Sequence, residues 1–418
     1  MRINTTMLIE TMKAQAIGES IGKIVKGKDI EAIKETYGAY GFSLENWIED
    51  KENKKEEKLY IGDKTQISLF AINGLLGCIK SDCIIYNQTK IRNSYIDWFN
   101  TKADVNKPRE GLIFNYSSLI KDMPTDAFTI KSFENIITEN KVYDLLNPAM
   151  ETNGLLALTR AIPFAFFAKS DLEAWVYGGQ QAVITHGGEK TWICCSIMSL
   201  FVFKLLKEHK RIKSKWKSIK GEKETLERYY RQTIDLEKIL TSTINVSSNF
   251  KNTQPIINKL KFTLNKIKAG NEYKDIYIDF ELHEKFGEES HIEDILCVAL
   301  YIACVSKSFD IALEIAVNNN YDKEVLAAIV APLFVLYHKG ASLDYLFNEI
   351  DGHNEIEDFL YEAKRQISDT NYRMLTREDV TKDELVTFMQ MKTFEKGIEK
   401  EIKSITLIDK IKKLFSKK

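Results

Sequence analysis

The spacing of apolar residues constrains this fold more than any other feature of the sequence. Apolar side chains recur every three or four positions, for example at Ile67, Phe70, Ala71 and Leu75, rather than alternately. Only six prolines interrupt the chain. Such spacing places apolar side chains on one face of an α-helix, and proline is the residue that most strongly breaks helices. The sequence therefore predicts an all-α fold.

The length and the charge of the chain limit its functional class. With 418 residues, of which 44% are apolar, the chain is long enough for a large packed core. Its 59 basic and 60 acidic residues nearly cancel, so there is no general attraction for nucleic acid or anionic membranes. The six cysteines form no CxxC pair, which favours thiols in a reducing cytosol. We expect a cytoplasmic protein without nucleic-acid binding or stable membrane insertion.

Composition along the chain indicates a main domain and a carboxy-terminal part. We assign residues 1–340 to one helical domain, in which residues 204–290 form a charged helical insertion that becomes irregular from Thr241 onward. Residues 341–418 are predicted as a helical extension. Its last nine residues, KIKKLFSKK, carry five lysines and no acid. This pattern fits a solubilising tail, and it also fits a weak anchor for a membrane or partner.

Two acidic segments far apart in the sequence carry the main chemical signal. Residues 62–66 (GDKTQ) and 318–325 (NNNYDKEV) each open a predicted helix with carboxylates in its first turn. Oxygen ligands that converge from separate segments are a common way to hold hard divalent cations. An acid in the first turn of a helix also caps the helix and complements its dipole. The pattern therefore has both a metal-binding and a structural interpretation.

Four segments, in this order, resemble the ADP-ribosylglycohydrolase family, whose fold is shared with dinitrogenase reductase-activating glycohydrolase. The first, residues 16–22 (AIGESIG), is similar to the family's AxGDxxG helix, in which the glycines allow close helix packing. The resemblance covers roughly residues 10–340 and implies an orthogonal multi-helix bundle with a helical carboxy-terminal extension. The second segment, residues 62–66, is similar to the family's TDDTQ. The third, residues 153–163, is similar to NG…MRIxP, and residues 185–187 stand where the family has THG. The fourth, residues 316–329, is similar to AVNxGGDTDTxAAI.

The resemblance also implies a site. In that family two Mg or Mn ions, held by the acids of TDD and DTDT, grip the ribose of ADP-ribose and a water. For this chain, the resemblance implies that Asp63, Asp322 and Glu324 are the metal ligands. It also implies that Asp63 and Glu324 are the candidate catalytic groups. The ligand-binding residues that it implies are His186, Arg160, Thr185, Asn318 and Tyr321. For two of these a structural role is the alternative, because a buried histidine can be satisfied internally and an arginine can lock helices together.

The centre departs from the family's pattern at several positions. Lys64 replaces the second aspartate of TDDTQ, and Lys26 stands where an acid usually follows the first helix. Gly62 replaces a threonine and Val325 replaces the last hydroxyl ligand. Asn320 and Tyr321 replace the family's Gly-Gly, and their side chains fill the space that the two glycines leave for a ligand.

The lysine at position 64 leads to a specific prediction. An ammonium repels a nearby divalent cation, since two unit charges about 4 Å apart interact by about 4 kcal/mol at an effective dielectric constant near 20. We predict that Lys64 pairs with Asp322 or Glu324 and takes the place of a metal, so that no cofactor is needed. The alternative is that Lys64 extends into solvent while Asp63, Asp322 and Glu324 hold one Mg or Mn.

Three functions follow from these expectations. The first is a catalytically impaired relative that acts by binding, as an immunity or regulatory protein against an ADP-ribosyltransferase toxin or its ADP-ribosylated target; bacterial members of the family are antidotes to such toxins. The second is an active metal-dependent hydrolase that removes ADP-ribose from proteins or nucleobases. The third is a helical interaction protein that uses its carboxy-terminal extension. The first function is not enzymatic, and the second would be an N- or O-glycosidic hydrolase.

Overall fold

The computed structural model describes residues 3–53, 59–80, 83–84, 86–102, 111–219, 234–269, 286, 290–338 and 341–369. Helices dominate these ranges, which confirms the all-α prediction. Two strands of two residues, β1 (Ile79–Lys80) and β2 (Cys83–Ile84), pair in an antiparallel manner. The helices of the first half are α1 (Thr5–Ile24), α2 (Ile30–Tyr37), α3 (Leu44–Asn53), α4 (Asp63–Leu76), α5 (Gln88–Lys102), α6 (Ala127–Glu139), α7 (Leu156–Thr159), α8 (Ile162–Phe167) and α9 (Asp171–Ala182). They are followed by α10 (Glu189–Ile219), α11 (Leu236–Ser247), α12 (Gln254–Ala269), α13 (Ile292–Val305), α14 (Phe309–Val317), α15 (Lys323–His338), α16 (Asp344–Phe347) and α17 (His353–Asp369).

Helices α1 and α15 pack closely against each other at two glycines. A Cβ atom at Gly18 would lie 2.1 Å from the carbonyl oxygen of Ala327, and one at Gly22 would lie 2.5 Å from that of Lys323. Real Cβ atoms do not approach backbone so closely, so only glycine allows this contact. The close packing expected of the AIGESIG helix is confirmed. It brings the carboxyl end of α1 next to the first turn of α15.

The long helix α10 runs through the core and α11 packs against it, whereas α12 packs against α11 and α13. We expected an irregular surface segment from Thr241 onward, but α12 is a regular helix over Gln254–Ala269. Its buried residues Ile256, Ile257, Leu260 and Leu264 recur at helical spacing, and burying that apolar face favours the helix. The irregular assignment was therefore wrong for this part of the chain.

The first turn of α17 and the turn before it hold two segments that lie near the start of α4. The backbone N–H of Asp351 donates to Leu59 O at 2.8 Å. Glu355 Oε2 accepts the backbone N–H and the hydroxyl of Ser118 at 2.7 and 2.8 Å. The start of α17 thus helps to position the candidate site. The domain boundary at residue 340 stays a prediction, and the basic tail lies outside the described residues.

The described helices also bear on membrane association. None of them combines the length and the apolar character needed to cross a bilayer.

Candidate functional site

The first turn of α4 is built around the carboxylate of Glu19. Glu19 lies on α1 and is completely buried. Its oxygens accept the backbone N–H groups of Gly62, Lys64 and Thr65 at 2.9, 3.0 and 2.9 Å. The first N–H groups of a helix have no partner within the helix, and a carboxylate placed there also complements the helix dipole. Glu19 therefore orients the segment that carries Asp63 and Lys64.

Lys64 joins the two acidic segments. Its Nζ lies 2.9 Å from Asp63 Oδ1 and 2.7 Å from Glu324 Oε2. A second lysine, Lys26, reaches the same oxygen of Glu324 at 3.1 Å. The side chains of Lys64 and Glu324 are only 12% and 4% exposed, so solvent screens this pair weakly. The predicted pairing of Lys64 is confirmed for Glu324.

The charges in this cluster favour one another's ionised forms. Burial acts to lower the pKa of Lys64, but the carboxylates of Asp63, Glu19 and Glu324 outweigh burial and raise this pKa above its ordinary value. Burial acts to raise the pKa of Glu324, whereas Lys64 and Lys26 hold it below its ordinary value. Opposite charges close by favour the charged form of each partner. The pair is therefore ionic at neutral pH.

Gly62 leaves room for a third lysine, Lys23. A Cβ atom at position 62 would lie 2.5 Å from Lys23 Nζ and 2.3 Å from Glu19 Oε1. Lys23 Nζ lies 4.2 Å from the ring centre of Tyr60, within the range of a cation–π contact. Burial lowers the pKa of Lys23, although Glu19 and Glu324 act in the opposite direction. The glycine at position 62 is thus linked structurally to the lysine at position 23.

The remaining oxygen of Asp63 is also engaged. The hydroxyl of Thr125, just before α6, donates to Asp63 Oδ2 at 2.8 Å. One oxygen of Asp63 therefore pairs with the ammonium of Lys64, and the other accepts a hydrogen bond from a neutral hydroxyl. This arrangement fixes the carboxylate on both sides.

As arranged, the centre does not fit a divalent cation. Lys64 Nζ occupies the point between Asp63 and Glu324 where a shared ion would have to lie. A divalent ion about 4 Å from an ammonium would be repelled by about 8 kcal/mol at an effective dielectric constant near 20. Across the ranges that the structure describes, no group of three His, Cys, Asp or Glu residues is placed to hold a metal. The carboxylates of Glu19, Asp63 and Glu324 are instead matched by the ammonium groups of Lys23, Lys26 and Lys64.

Asp322 takes no part in this charge cluster. It is exposed, and its Oδ1 accepts the backbone N–H of Val325 at 3.1 Å. Its own N–H donates to Ser290 Oγ at 2.7 Å. Asp322 thus caps α15, which is the structural interpretation of an acid at a helix start. Of the three candidate metal ligands, the structure brings together Asp63 and Glu324 only.

Three of the predicted ligand-binding residues form a separate buried chain of hydrogen bonds. Arg160 donates from Nε to Gln181 Oε1 at 2.7 Å and from Nη2 to Thr185 Oγ1. Thr185 Oγ1 lies 2.7 Å from His186 Nδ1. Arg160, Thr185 and His186 are all completely buried. Arg160 is therefore placed to join the segments around α7 and α9, and a ligand role for these residues stays a prediction.

The chain of hydrogen bonds continues from His186 toward the surface. His186 Nε2 lies 3.4 Å from the hydroxyl of Thr129, which is 2.6 Å from Asp126 Oδ2. Burial and then Arg160 lower the pKa of His186 to about 3, so the ring is neutral at pH 7. A neutral imidazole donates from one nitrogen and accepts at the other. Because Thr129 donates to Asp126, we assign the ring proton to Nε2 and the acceptor role to Nδ1.

Asn318 and Tyr321 lie in the loop before α15. Asn318 Oδ1 accepts the N–H of Phe42 and its Nδ2 donates to Phe42 O, both at 2.8 Å. A Cβ atom at Gly41, whose φ is +78°, would lie 2.4 Å from Asn318 Oδ1. Asn318 thus holds the loop before α3. Tyr321 is 2% exposed and lines a cleft.

This cleft lies beside the charge cluster. It has a volume of about 660 Å³ and is lined by residues 26–31 and 320–324. Glu324 belongs to its wall, and Glu324 Oε1 is a buried oxygen with no hydrogen-bond partner within the described structure. A volume of several hundred Å³ is typical of small-molecule sites.

Sequence reasoning missed several residues of this region. Glu19 and Lys23 were not among the predicted site residues, although both belong to the glycine-bearing end of α1. Their spacing of four along a helix was a signal that they share a face. Thr125 and Lys323 gave no such signal, because one lies in a loop and the other looks like an ordinary residue of a first helical turn.

Comparison with known proteins agrees with this fold. The sequence model of the family described as ADP-ribosylglycohydrolase matches residues 8–367. Among solved structures, one described as "ADP-ribosylglycohydrolase-related protein complex" has a TM-score of 0.51 and 13% sequence identity, with 87% of this chain and 98% of that chain covered. At that identity the likeness shows the fold alone. No curated protein matches significantly.

Proposed function

Because this chain belongs to the ADP-ribosylglycohydrolase family, we propose that it is a catalytically impaired relative that acts by binding. Its partner would be an ADP-ribosyltransferase toxin or the ADP-ribosylated protein that the toxin produces, in an immunity or regulatory role. The observation that carries the proposal is the ammonium of Lys64, 2.9 Å from Asp63 and 2.7 Å from Glu324.

The charge balance at the centre supports loss of hydrolysis. The family is typically metal-dependent, and a metal would supply an activated water and hold the ribose hydroxyls. Here the oxygens of Asp63 are engaged by Lys64 and Thr125, and one oxygen of Glu324 is engaged by Lys64 and Lys26. A carboxylate held in its ionised form by two ammonium groups is a weaker base for activating water.

The intact scaffold supports a binding role. The α1–α15 contact depends on Gly18 and Gly22, and Glu19 still orients the start of α4. A cleft of about 660 Å³ remains next to Glu324. The centre is balanced in charge and the close helix packing is kept, as a protein that binds without hydrolysing would require.

The proposal is tested by separating binding from hydrolysis. Purified protein would be titrated with ADP-ribose by calorimetry, with EDTA and with Mg or Mn, and its metal content would be determined. Release of ADP-ribose from mono-ADP-ribosylated arginine and serine peptides would be measured under the same conditions. We expect metal-independent binding and no release above the blank. Metal-dependent release at ordinary enzymatic rates would overturn the proposal.

One observation favours an active hydrolase as the second candidate. Glu324 Oε1 is buried without a partner, so rotation of Lys64 into solvent would leave Asp63 and Glu324 facing a common point that one Mg or Mn could take. In that case manganese should raise the melting temperature, and Asp63→Ala should remove both this increase and the activity. An unchanged melting temperature with manganese rules out this candidate.

A further inference from the structure

Asn153 and Gly154 form an asparagine–glycine pair beside the first turn of α10. Asn153 is exposed and Gly154 is half-buried, in the irregular segment that precedes α7. In such a pair the glycine nitrogen can bond to the side-chain amide carbon of the asparagine and close a five-membered ring. Glycine favours this closure because no Cβ atom hinders the approach of its nitrogen. The pair therefore has the composition needed to modify itself.

One hydroxyl contacts both of the groups that would react. Thr191 is the third residue of α10 and is completely buried. Its Oγ1 accepts the backbone N–H of Gly154 at 3.2 Å and donates to Asn153 Oδ1, also at 3.2 Å. The nitrogen that must lose a proton and the oxygen that must gain one are thus bonded to a single hydroxyl. A hydroxyl in that position is placed to transfer the proton between them.

Packing around the pair holds this geometry. A Cβ atom at Gly154 would lie 2.0 Å from His186 Cδ2, so the backbone of Gly154 lies against the imidazole ring. A Cβ atom at Gly188 would lie 2.4 Å from Asn153 Oδ1, so the amide is also closely packed. Groups that are held in position react faster than groups that must first be ordered. The fold therefore keeps Asn153 and Gly154 against Thr191.

The other asparagine–glycine pair of the chain lacks these features. Asn73 and Gly74 lie within α4, and Asn73 is buried. Asn73 Nδ2 donates to Ser94 Oγ at 3.2 Å, and its Oδ1 accepts the N–H of Ile113 at 3.3 Å. Ring closure there would disrupt a helical turn and both hydrogen bonds. Asn73 thus provides an internal control for Asn153.

We propose that Asn153 converts itself to an acid through a succinimide, with Thr191 as the proton carrier. A bond forms between Gly154 N and Asn153 Cγ, while the glycine proton passes to Thr191 Oγ1 and the hydroxyl proton passes to Asn153 Oδ1. The tetrahedral intermediate returns that proton to Nδ2, and the Cγ–Nδ2 bond breaks to release ammonia. Water then opens the ring to aspartate or isoaspartate. One water is consumed and one ammonia is released, so no oxidant or reductant takes part.

The conversion changes the charge next to His186. A carboxylate at position 153 still accepts the hydroxyl of Thr191 at the start of α10, where the helix dipole favours a negative charge. Isoaspartate would instead lengthen the main chain by one methylene and displace Gly154 from the imidazole ring. Either product places a new negative charge beside a buried residue that the sequence marks for ligand binding. The reaction needs no ligand and does not depend on the proposed function.

The test is peptide mapping of the full chain by mass spectrometry after storage at neutral pH, with isoaspartate measured by enzymatic methylation. Thr191→Val keeps the shape of the side chain and removes the hydroxyl, whereas Thr191→Ser keeps the hydroxyl. Asn73 is followed in the same samples, and melting temperatures show whether each variant is folded. The unaltered chain in urea gives the rate at each asparagine without the fold. This comparison carries the test if Thr191→Val does not fold.

We expect Asn153 to convert faster in the folded protein than in urea, and Asn73 to convert more slowly when folded. Thr191→Val should slow conversion at Asn153 by about a hundredfold, the lower end of what a positioned proton-transfer group contributes. Thr191→Ser should retain the rate. In urea the rate should rise with pH because the glycine nitrogen loses its proton to solvent, whereas in the folded protein it should rise less because Thr191 takes that proton.

Three results would overturn the inference. The first is an Asn153 that stays intact in the folded protein while it converts in urea. The second is a folded Thr191→Val variant that converts as fast as the unaltered protein. The third is the same pH dependence in the folded protein as in urea, since solvent rather than Thr191 would then take the proton.

Discussion

Lys64 Nζ and Glu324 Oε2 lie 2.7 Å apart, although the two residues are 260 positions apart in the chain. The contact joins the first turns of α4 and α15, and α1 holds both turns in place through Glu19 and Gly22. Together with Lys26, it joins Asp63, Lys64 and Glu324 into one group that is balanced in charge.

Removing the ammonium should destabilise the fold. In Lys64→Met the buried carboxylates of Asp63 and Glu324 lose the ammonium that balances their charge. Breaking a buried ion pair by removing one partner costs about 3–5 kcal/mol of stability. Because Lys26 still pairs with Glu324, we expect about 3 kcal/mol. The free energy of unfolding in urea measures this. As a control, Lys121→Met breaks the exposed pair with Asp351 and should cost less than about 1 kcal/mol.

Restoring a side chain at position 62 should also be destabilising. In Gly62→Thr the new Cβ would meet Lys23 Nζ and Glu19 Oε1, and overpacking of this kind costs about 1–3 kcal/mol. Lys23→Ala should recover part of the loss, because it removes one of the two collisions. A double-mutant cycle measures the coupling. If Lys34→Ala rescued Gly62→Thr equally well, the proposed link between Gly62 and Lys23 would be wrong.

The buried imidazole should make stability depend on pH in the mildly acidic range. The pKa of His186 falls from 6.5 to about 3 in the folded protein, so between these values the unfolded chain binds more protons than the folded one. The free energy of unfolding should therefore fall as the pH drops below 6.5. His186→Gln should flatten this slope between pH 6.5 and 4.5, before the carboxylates titrate. An unaltered slope in this variant would show that other groups cause it.

The negative charge of Glu19, and not only the shape of its side chain, should contribute to the stability of the fold. Glu19→Gln keeps one oxygen acceptor but loses the charge that binds the N–H groups of Gly62, Lys64 and Thr65. We expect a loss of about 1–3 kcal/mol in the free energy of unfolding, the range for a charged hydrogen-bonding group.

A matched variant checks that this loss arises from the buried cap. Glu237→Gln changes an exposed glutamate in the first turn of α11. Such a surface substitution should alter stability by less than about 0.5 kcal/mol. Equal losses in the two variants would refute a special role of Glu19.

Much of the fold could be predicted because helices depend on local spacing. The face formed by Ile67, Phe70, Ala71 and Leu75 is buried in α4 as its spacing indicates. The segment 254–269 has the same kind of spacing, although its lysines and asparagines make it polar on average. Burial of that face, rather than the average polarity of the segment, decides its structure.

The candidate site could be predicted only in part. The chain carries Asp63, Lys64 and Glu324 in recognisable segments, and their opposite charges favour pairing of the lysine with an acid. Asp322 was assigned with equal weight, but the geometry of a helix start turns its carboxylate back onto the N–H of Val325. A sequence pattern does not distinguish a cap from a ligand, because both place an acid in the first turn.

The sequence by itself determined the helical class, the glycines that let α1 approach α15, and the presence of lysines among the acids of the centre. Each of these depends on residue type and short-range spacing. Only the tertiary structure decided that Lys64 joins Asp63 to Glu324 and that Lys23 takes the space left by Gly62. Electrostatic pairing depends on distance and burial, and residues hundreds of positions apart acquire both only when the chain folds.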